Sequence, residues 1–173
     1  MDETDTQLLS VRALIYCDDR FLIMGRSHPR DKRVYWELPH VKVRYEGSLE
    51  YALEGDIFKE IGLVIRCIKP ISTWQLAAGG TVVQGITFLC KAKHSYVALS
   101  TVHIDCAWIK PDQISDYNIY PGIRKEMTRW DWDKLLEDVK NCSLKFRPPQ
   151  SSGRKTSKRN IYRKLLLSKK EDE

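Results

Sequence analysis

Residues 36–63 read WELPHVKVRYEGSLEYALEGDIFKEIGL, and they are the most informative stretch of the 173-residue chain. Ser48 is a residue type that caps helix N-termini, and Gly62 is the type that ends helices. The apolar residues between them recur at helical spacing, at Leu49, Leu53, Ile57 and Ile61. The stretch therefore predicts a short extended segment followed by an amphipathic helix that buries one face.

Strand signals flank this helix on both sides. Residues 11–16 and 21–24 are apolar, β-branched runs joined by Cys-Asp-Asp-Arg, which predicts a hairpin. Further strands are predicted over 34–36, 63–68, 72–76, 81–91 and 103–109, and a second helix over 122–141 after Pro121. This order of elements predicts an α/β fold in which a mixed sheet lies between helices.

The stretch closely resembles the Nudix box of MutT-like hydrolases, whose pattern is G-x5-E-x7-R-E-U-x-E-E-x-G-U with U an aliphatic residue. The segments Trp36-Glu37-Leu38-Pro39 and Ile61-Gly62-Leu63 match the family at its spacing. The resemblance implies an α/β/α sandwich over residues 8–141. Several functional positions carry other residues, namely Val41 for the first Gly, Gly47 for the first Glu, Gly55-Asp56 for the Arg-Glu pair and Lys59 for the next Glu.

The replaced positions concern metal binding. Magnesium and manganese prefer several oxygen ligands, and bound metal activates water for attack on a phosphoanhydride. Asp56 and Glu60 stand one helical turn apart, and Glu46 would join them if the preceding loop slips by one residue. Lys59 puts a cation beside them, and Gly55 removes the Arg that braces a catalytic Glu in the family. A weak metal site at these carboxylates is one interpretation, and an exposed helix face with a solvated loop residue is the favoured one.

A basic cluster surrounds the same region. Its proposed phosphate-binding residues are Arg26, Arg30, Arg33, Lys42, Arg44 and Lys59. If the loops that carry them line one cleft, as the resemblance implies, they can hold phosphate without a metal, since the planar guanidinium of Arg binds phosphate oxygens in pairs. A solvated basic rim without a ligand is the alternative interpretation.

The net charge of +6 belongs to the C-terminal end. Residues 145–173 carry ten Lys or Arg and three acids, so the rest of the chain is near neutral. Residues 142–153 have a linker composition, and residues 154–173 form a basic tail. We predict that the tail contacts nucleic acid through Arg154, Lys155, Lys158, Arg159, Arg163 and Lys164. A nuclear address and a solubilising end are the alternatives.

Composition narrows the cellular setting. No apolar run approaches the roughly 20 residues that cross a bilayer, and the acidic start argues against a targeting presequence. Five widely spaced cysteines suit a reducing compartment, so a cytoplasmic location, or a nuclear one through the tail, is expected. The four histidines (His28, His40, His94 and His103) lack metal-ligand spacing and are predicted to be loop or strand-surface residues.

Two functions follow from these observations, and a purely structural role as a protein scaffold is a third interpretation. The first is a catalytically impaired Nudix-like protein that binds a phosphate-rich partner, a nucleotide or RNA, within a larger complex and without a cofactor. The second is a divergent hydrolase of nucleoside diphosphate-linked compounds or capped RNA that uses magnesium or manganese at Asp56, Glu60 and Glu46. The replacements at Lys59 and Gly55 favour the first.

Overall fold

A computed structural model describes residues 8–43, 47–78 and 81–149. Seven strands lie within these residues: β1 Leu8–Cys17, β2 Arg20–Ser27, β3 Val34–Glu37, β4 His40–Lys42, β5 Ile65–Ala78, β6 Thr81–Ala92 and β7 Asp105–Ile109. The helices are α1 Leu49–Ile61, α2 Pro121–Met127 and α3 Trp132–Lys140, with a 3-10 helix at Pro111–Asp116. None of the described helices has the length and apolar content that crossing a membrane requires.

The strands form one mixed sheet with the order β3-β2-β1-β6-β5. The predicted hairpin is confirmed, since β1 and β2 pair antiparallel through Tyr16 opposite Phe21. β1 also pairs in parallel with β6, from Leu8 opposite Val83 to Tyr16 opposite Lys91. Outside this order, β4 pairs with β1 and β7 pairs with β2. Residues of β4 and of the loop before β7 line one cleft, which is described below.

The sheet is buried on both faces. Successive residues of β1 point to opposite sides, so Val11, Ala13 and Ile15 join the core under α1 while Leu14 and Tyr16 join the core under α2 and α3. Burial on both faces explains why β1 and β2 are continuous apolar runs instead of alternating ones. The predicted α/β/α arrangement with a mixed sheet is confirmed.

Helix α1 has the ends that the sequence predicts. The Ser48 side chain accepts a hydrogen bond from the Tyr51 amide, and Gly62 closes the helix with φ of 70°, in the left-handed region. Leu53, Ile57 and Ile61 are buried at 2% exposure or less. The fourth predicted contact residue, Leu49, is half-buried against the same core. The helix therefore packs one apolar face against the sheet, and its last turns line a cleft.

Three predicted element boundaries are wrong. β5 is one strand and not two, because register shifts between Cys67 and Lys69 and around Pro70 let the strand continue past the proline. The predicted helix over 122–141 is divided into α2 and α3, because Asp131 caps a new helix by accepting from the Lys134 amide. β7 begins at Asp105, so His103 precedes the strand.

The segment 142–149 has no helix or strand and packs on the domain. The guanidinium of Arg147 makes two hydrogen bonds to Glu54, at 3.0 and 3.1 Å, and lies 3.7 Å from the Tyr51 ring centre. Glu54 is buried on α1 and also accepts from Arg66 and from the Cys67 amide. The predicted linker over 142–153 thus begins with residues that contact the domain.

Candidate functional site

A cleft of about 440 Å³ lies where the end of α1 faces β3, β4 and the loop before β7. Its walls contain three acidic side chains and three basic ones, together with two histidines. The lining residues are Arg26, Glu37, His40, Val41, Lys42, Asp56, Lys59, Glu60, Val102 and His103. The cleft, named here the charged cleft, therefore combines fixed charges of both signs.

His103 joins two walls of the charged cleft. Its Nε2 lies 3.1 Å from Glu37 Oε1 on β3, and its Nδ1 lies 2.9 Å from Ser100 Oγ and 3.6 Å from Glu60 Oε1 on α1. His103 lies in a loop, as predicted, but its side chain is only 7% exposed. Long-range packing of the segment before β7 buries the ring, which spacing along the sequence does not reveal.

Glu37 is the buried acid of the charged cleft. Burial opposes its ionisation, but the hydrogen bond with His103 and the charges of His40, His103 and Arg26 outweigh burial and lower the pKa of Glu37. Its side chain is 8% exposed, and His40 Nδ1 lies 3.9 Å from Oε1. Glu37 is therefore an anionic acceptor that holds the two histidines at the cleft wall.

The predicted metal-binding carboxylates do line the charged cleft. The side chains of Asp56 and Glu60 are half-buried, so the favoured interpretation of an exposed helix face does not describe them. Asp56 Oδ1 lies 3.4 Å from Lys59 Nζ, so a protein cation already stands where a metal ion would bind. Within residues 8–43, 47–78 and 81–149, no three His, Cys, Asp or Glu side chains are placed to hold a metal ion. Glu46 lies outside the described residues. The described residues therefore do not fit a divalent cation.

The predicted phosphate-binding residues separate into three groups. Arg26, Lys42 and Lys59 line the charged cleft. Arg30 and Arg33 lie in the exposed loop between β2 and β3 and are not among its lining residues. Arg44 lies outside the described residues, as do all six predicted nucleic-acid-binding residues, Arg154, Lys155, Lys158, Arg159, Arg163 and Lys164.

A second cavity of about 450 Å³ adjoins the charged cleft and is named here the aromatic pocket. Most of its wall is apolar or aromatic. It is lined by Leu9, Ser10, Arg12, Glu37, His40, Lys42, Trp74, Leu76, Val83, Tyr120, Pro121, Gly122 and Ile123. The two cavities share Glu37, His40 and Lys42. The charged cleft and the aromatic pocket are thus two compartments with a common wall.

A planar stack forms part of the wall of the aromatic pocket. Trp74 on β5 is directly opposite Gly85 on β6, and the missing side chain of Gly85 lets the indole lie across the strand. The guanidinium carbon of Arg12 lies 3.6 Å from the Trp74 ring centre. A flat cation on a flat ring gives the pocket a surface on which another planar group can stack.

Arg12 is held in place by a buried acid. Its Nη1 donates to Glu126 Oε2 at 2.7 Å, and the other oxygen of Glu126 accepts from Thr87 at 2.7 Å and from Ser72. Burial lowers the pKa of Arg12, and the neighbouring carboxylate of Glu126 opposes that shift. The network orders the guanidinium, so its position does not have to be fixed when a ligand arrives.

The sequence does not predict five residues of these two cavities as site residues, namely Arg12, Glu37, Trp74, His103 and Tyr120. Glu37 had one signal, since it lies inside the Trp-Glu-Leu-Pro entry to the helix unit. The residues of the aromatic pocket come from β1, β5, β6 and the start of α2, which are distant in sequence. The pairing of β6 with β1 on one side and with β5 on the other brings the strand residues together.

Comparisons with known proteins identify the fold. No protein-family model matches this sequence, and no curated protein matches it. Among solved structures, the MutT protein from Methanosarcina mazei Go1 superposes with a TM-score of 0.65 at 23% identity, over 77% of this chain and 97% of that one. A MutT Nudix hydrolase from Burkholderia pseudomallei gives 0.59 at 20% identity, over 78% and 98%. An ADP-ribose pyrophosphatase from Streptococcus suis 89-1591 gives 0.54 at 16% identity, over 79% and 94%. The chain has the fold of the Nudix hydrolases.

Proposed function

We propose that this protein binds a nucleoside diphosphate-linked compound and that its capacity for hydrolysis is impaired. The base would occupy the aromatic pocket, and the diphosphate would occupy the charged cleft. The observation that carries the proposal is the wall of Glu37, His40 and Lys42 that the two compartments share. One ligand with a planar end and an anionic end matches two cavities of these chemistries placed side by side.

Fixed protein cations support binding of the anionic end. Arg26, Lys42 and Lys59 all line the charged cleft, and Arg and Lys donate charge-assisted hydrogen bonds to phosphate oxygens. The stack of Arg12 on Trp74 supports binding of the planar end. Solved structures with this fold include a UDP-X diphosphatase and an ADP-ribose pyrophosphatase, and we extend a ligand of that chemical class to this chain.

The contact of Lys59 with Asp56 supports impaired hydrolysis. A lysine that neutralises a carboxylate competes with the divalent ion that phosphoanhydride hydrolysis in this fold would use. Such an ion would neutralise phosphate charge and activate water if Glu46, outside the described residues, completed a site with Asp56 and Glu60. A metal-dependent hydrolase is therefore the alternative outcome of the experiment below.

Isothermal titration of ADP-ribose and of UDP-glucose into the full chain tests the proposal. We expect binding in the presence of a chelator, little change on adding magnesium or manganese, and no turnover above a metal-only blank. Trp74→Leu and Lys42→Gln should each weaken binding at least tenfold, whereas Lys134→Gln on α3 should not. The proposal would be refuted if neither ADP-ribose nor UDP-glucose binds, with or without metal. Metal-dependent turnover that Glu60→Gln abolishes would establish the hydrolase instead.

We further propose that the basic tail binds RNA and anchors the protein in a larger complex. The support is compositional, since Arg154, Lys155, Lys158 and Arg159 lie in a run with few acids. Full-length protein should bind RNA several-fold more tightly than a chain ending at Pro149, and the difference should shrink as salt rises. Equal RNA affinity of the two chains at low salt would contradict this.

A further inference from the structure

Three rings stand in a row on the surface formed by β2, β3 and the start of α2. The ring centres of His28 and Tyr35 are 5.6 Å apart, and those of Tyr35 and Tyr120 are 5.0 Å apart with the planes only 19° from parallel. The backbone fixes this row, because the Tyr120 amide donates to Trp36 O at 3.0 Å. Tyr35 and Tyr120 are half-buried, so each also contributes surface to solvent.

Basic side chains flank the row of rings. Arg26 is directly opposite Tyr35 in the β2–β3 pair, and Arg30, Lys32 and Arg33 are exposed in the loop that joins these strands. The loop has a defined shape, since the His28 amide donates to Arg33 O at 2.8 Å and Lys32 adopts a φ of 59°. The Arg33 side chain is 75% exposed. Cations are therefore held close to the rings while remaining accessible.

Asp31 is an acidic residue within this basic loop. Asp31 accepts from the Arg33 amide at 3.0 Å, and it lies 3.3 Å from His28 Nδ1 and 3.9 Å from Arg33 Nε, so its carboxylate closes the loop and pairs with one of the exposed cations. From Arg26 through Tyr35, Asp31 is the only acidic residue, against the four basic residues Arg26, Arg30, Lys32 and Arg33. The surface therefore keeps an excess of positive charge.

We infer that His28, Tyr35, Tyr120 and the flanking residues Arg26, Arg30, Lys32 and Arg33 form a binding surface for single-stranded nucleic acid. Unpaired bases stack on exposed aromatic rings regardless of their sequence, and the phosphates between them pair with Arg and Lys. An acidic peptide would use the cations but not the row of rings. An anionic bilayer would require a larger apolar area than three half-buried rings provide.

The surface extends beyond the charged cleft and the aromatic pocket, and it goes beyond the proposed function. It shares one residue with each cavity, because Arg26 lines the charged cleft and Tyr120 lines the aromatic pocket. A strand on this surface would therefore run toward the two compartments. Arg30 and Arg33 line neither cavity, so their substitution tests the surface without altering the nucleotide site. Tyr35 lines neither cavity but stacks on Tyr120 of the aromatic pocket, so the affinity of each Tyr35 variant for ADP-ribose is measured as well.

The experiment measures fluorescence anisotropy of labelled ten-nucleotide RNA and DNA with the full chain. Tyr35→Leu should weaken binding by at least about fivefold, because it removes a stacking ring. Tyr35→Phe keeps the ring and should bind like the wild type. The double variant Arg30→Gln/Arg33→Gln should reduce the slope of log affinity against log salt by about 0.7 for each phosphate that the protein no longer neutralises.

A matched double variant, Lys134→Gln/Lys140→Gln, removes two exposed charges from α3 and should leave affinity and slope close to the wild type. The basic tail is present in every protein compared, so its contribution cancels. Titration of ADP-ribose into each variant reports separately on the nucleotide site.

Tyr35→Leu that binds oligonucleotide like the wild type would overturn the inference. Equal losses in the two double variants, or binding of anionic vesicles but not of oligonucleotides, would also overturn it. The ratio of RNA to DNA affinity shows which nucleic acid the surface accepts.

Discussion

At the scale of single residues, Gly85 determines whether the aromatic pocket exists. A Cβ built at this position would lie 2.0 Å from Cζ2 of Trp74, well inside van der Waals contact. Gly122, which lines the same pocket, would place a Cβ with no heavy atom within 4 Å. A methyl group added at Gly85 would therefore clash with Trp74, whereas one added at Gly122 would meet open space.

Gly85→Ala should displace the Trp74 indole from β6 and from Arg12. We expect the free energy of unfolding to fall by about 1–3 kcal/mol, the usual cost of overpacking, and the affinity for ADP-ribose to fall with it. Gly122→Ala should be neutral or slightly stabilising, because α2 gains a better helix former. Urea unfolding and calorimetric titration of both variants check this. Similar effects of the two substitutions would contradict the role given to Gly85.

The second residue-scale prediction concerns the buried hydroxyl of Tyr16. The side chain is 1% exposed, and the hydroxyl has no hydrogen-bond partner among the described residues. Burial raises the pKa of Tyr16 from 10.0 to about 12, and Asp133 adds to this. The folded protein therefore keeps the proton longer than the unfolded chain. The contribution of this protonation difference to the free energy of unfolding is therefore fully present below pH 10, and it is lost as the pH rises toward 12.

Tyr16→Phe removes the hydroxyl and with it this alkaline loss. At pH 7 we expect equal or higher stability, since an unsatisfied buried group disappears. Between pH 10 and 12 the variant should gain up to about 2 kcal/mol relative to the wild type. Urea unfolding at a series of pH values measures the difference. An advantage that stays constant over this range would show that Tyr16 ionises normally in the folded state.

At the scale of secondary-structure elements, α1 carries the residues of the charged cleft on a helix with strong local ends. Ser48→Ala removes the acceptor of the Tyr51 amide and should lower the free energy of unfolding by about 1 kcal/mol. Ser48→Asp keeps an acceptor at the same end and should retain the stability of the wild type. Chemical unfolding distinguishes these outcomes. Equal stabilities of the alanine and aspartate variants would show that the cap contributes nothing.

The elements that the sequence predicts well are those with local signals. Ser48, Gly62 and the apolar spacing between them specify α1, and the β1–β2 hairpin is similarly local. The sequence predicts two strands in place of β5 because the backbone of Pro70 cannot donate a hydrogen bond, and only the pairing with β6 reveals the register shifts that accommodate it. The sequence pattern conceals the split between α2 and α3 because apolar residues continue through it, although Asp131 is a residue type that starts helices.

The candidate site is less predictable than the fold for a related reason. Asp56, Lys59 and Glu60 lie on one helix, so spacing alone places them together. His103, Arg12 and Trp74 reach the site through pairings between distant strands, and neither spacing nor composition identifies them. Arg30 and Arg33 are grouped with the cleft residues because they are close to Arg26 in sequence, but they do not line the charged cleft.

At the scale of the whole molecule, the position of Arg147 places the end of the packed chain beyond α3. Glu54 is buried and receives two hydrogen bonds from the Arg147 guanidinium. In a chain ending at Cys142, the described residues that still donate to this carboxylate would be Arg66 and the Cys67 amide. The useful boundary for removing the tail is therefore Pro149.

We expect the chain ending at Pro149 to unfold at the same urea concentration as the full-length protein. The chain ending at Cys142 should lose about 1–3 kcal/mol, less than a fully buried pair would lose because the Arg147 side chain is 27% exposed. Arg147→Ala in the full chain should reproduce most of that loss. A chain ending at Cys142 that is as stable as the full-length protein would show that the contact contributes nothing.

The parallel pairing of β1 with β6 governs when the protein can fold during its synthesis. β1 leaves the ribosome before its partner, Thr81–Ala92, which follows only after α1 and β5 have been made. Until then one edge of β1 has no strand to pair with, and an unpaired apolar edge attracts other chains. Slow translation of the segment before residue 92 would prolong this interval. Synonymous codon changes there should therefore alter the yield of folded protein in cells while leaving the purified protein identical.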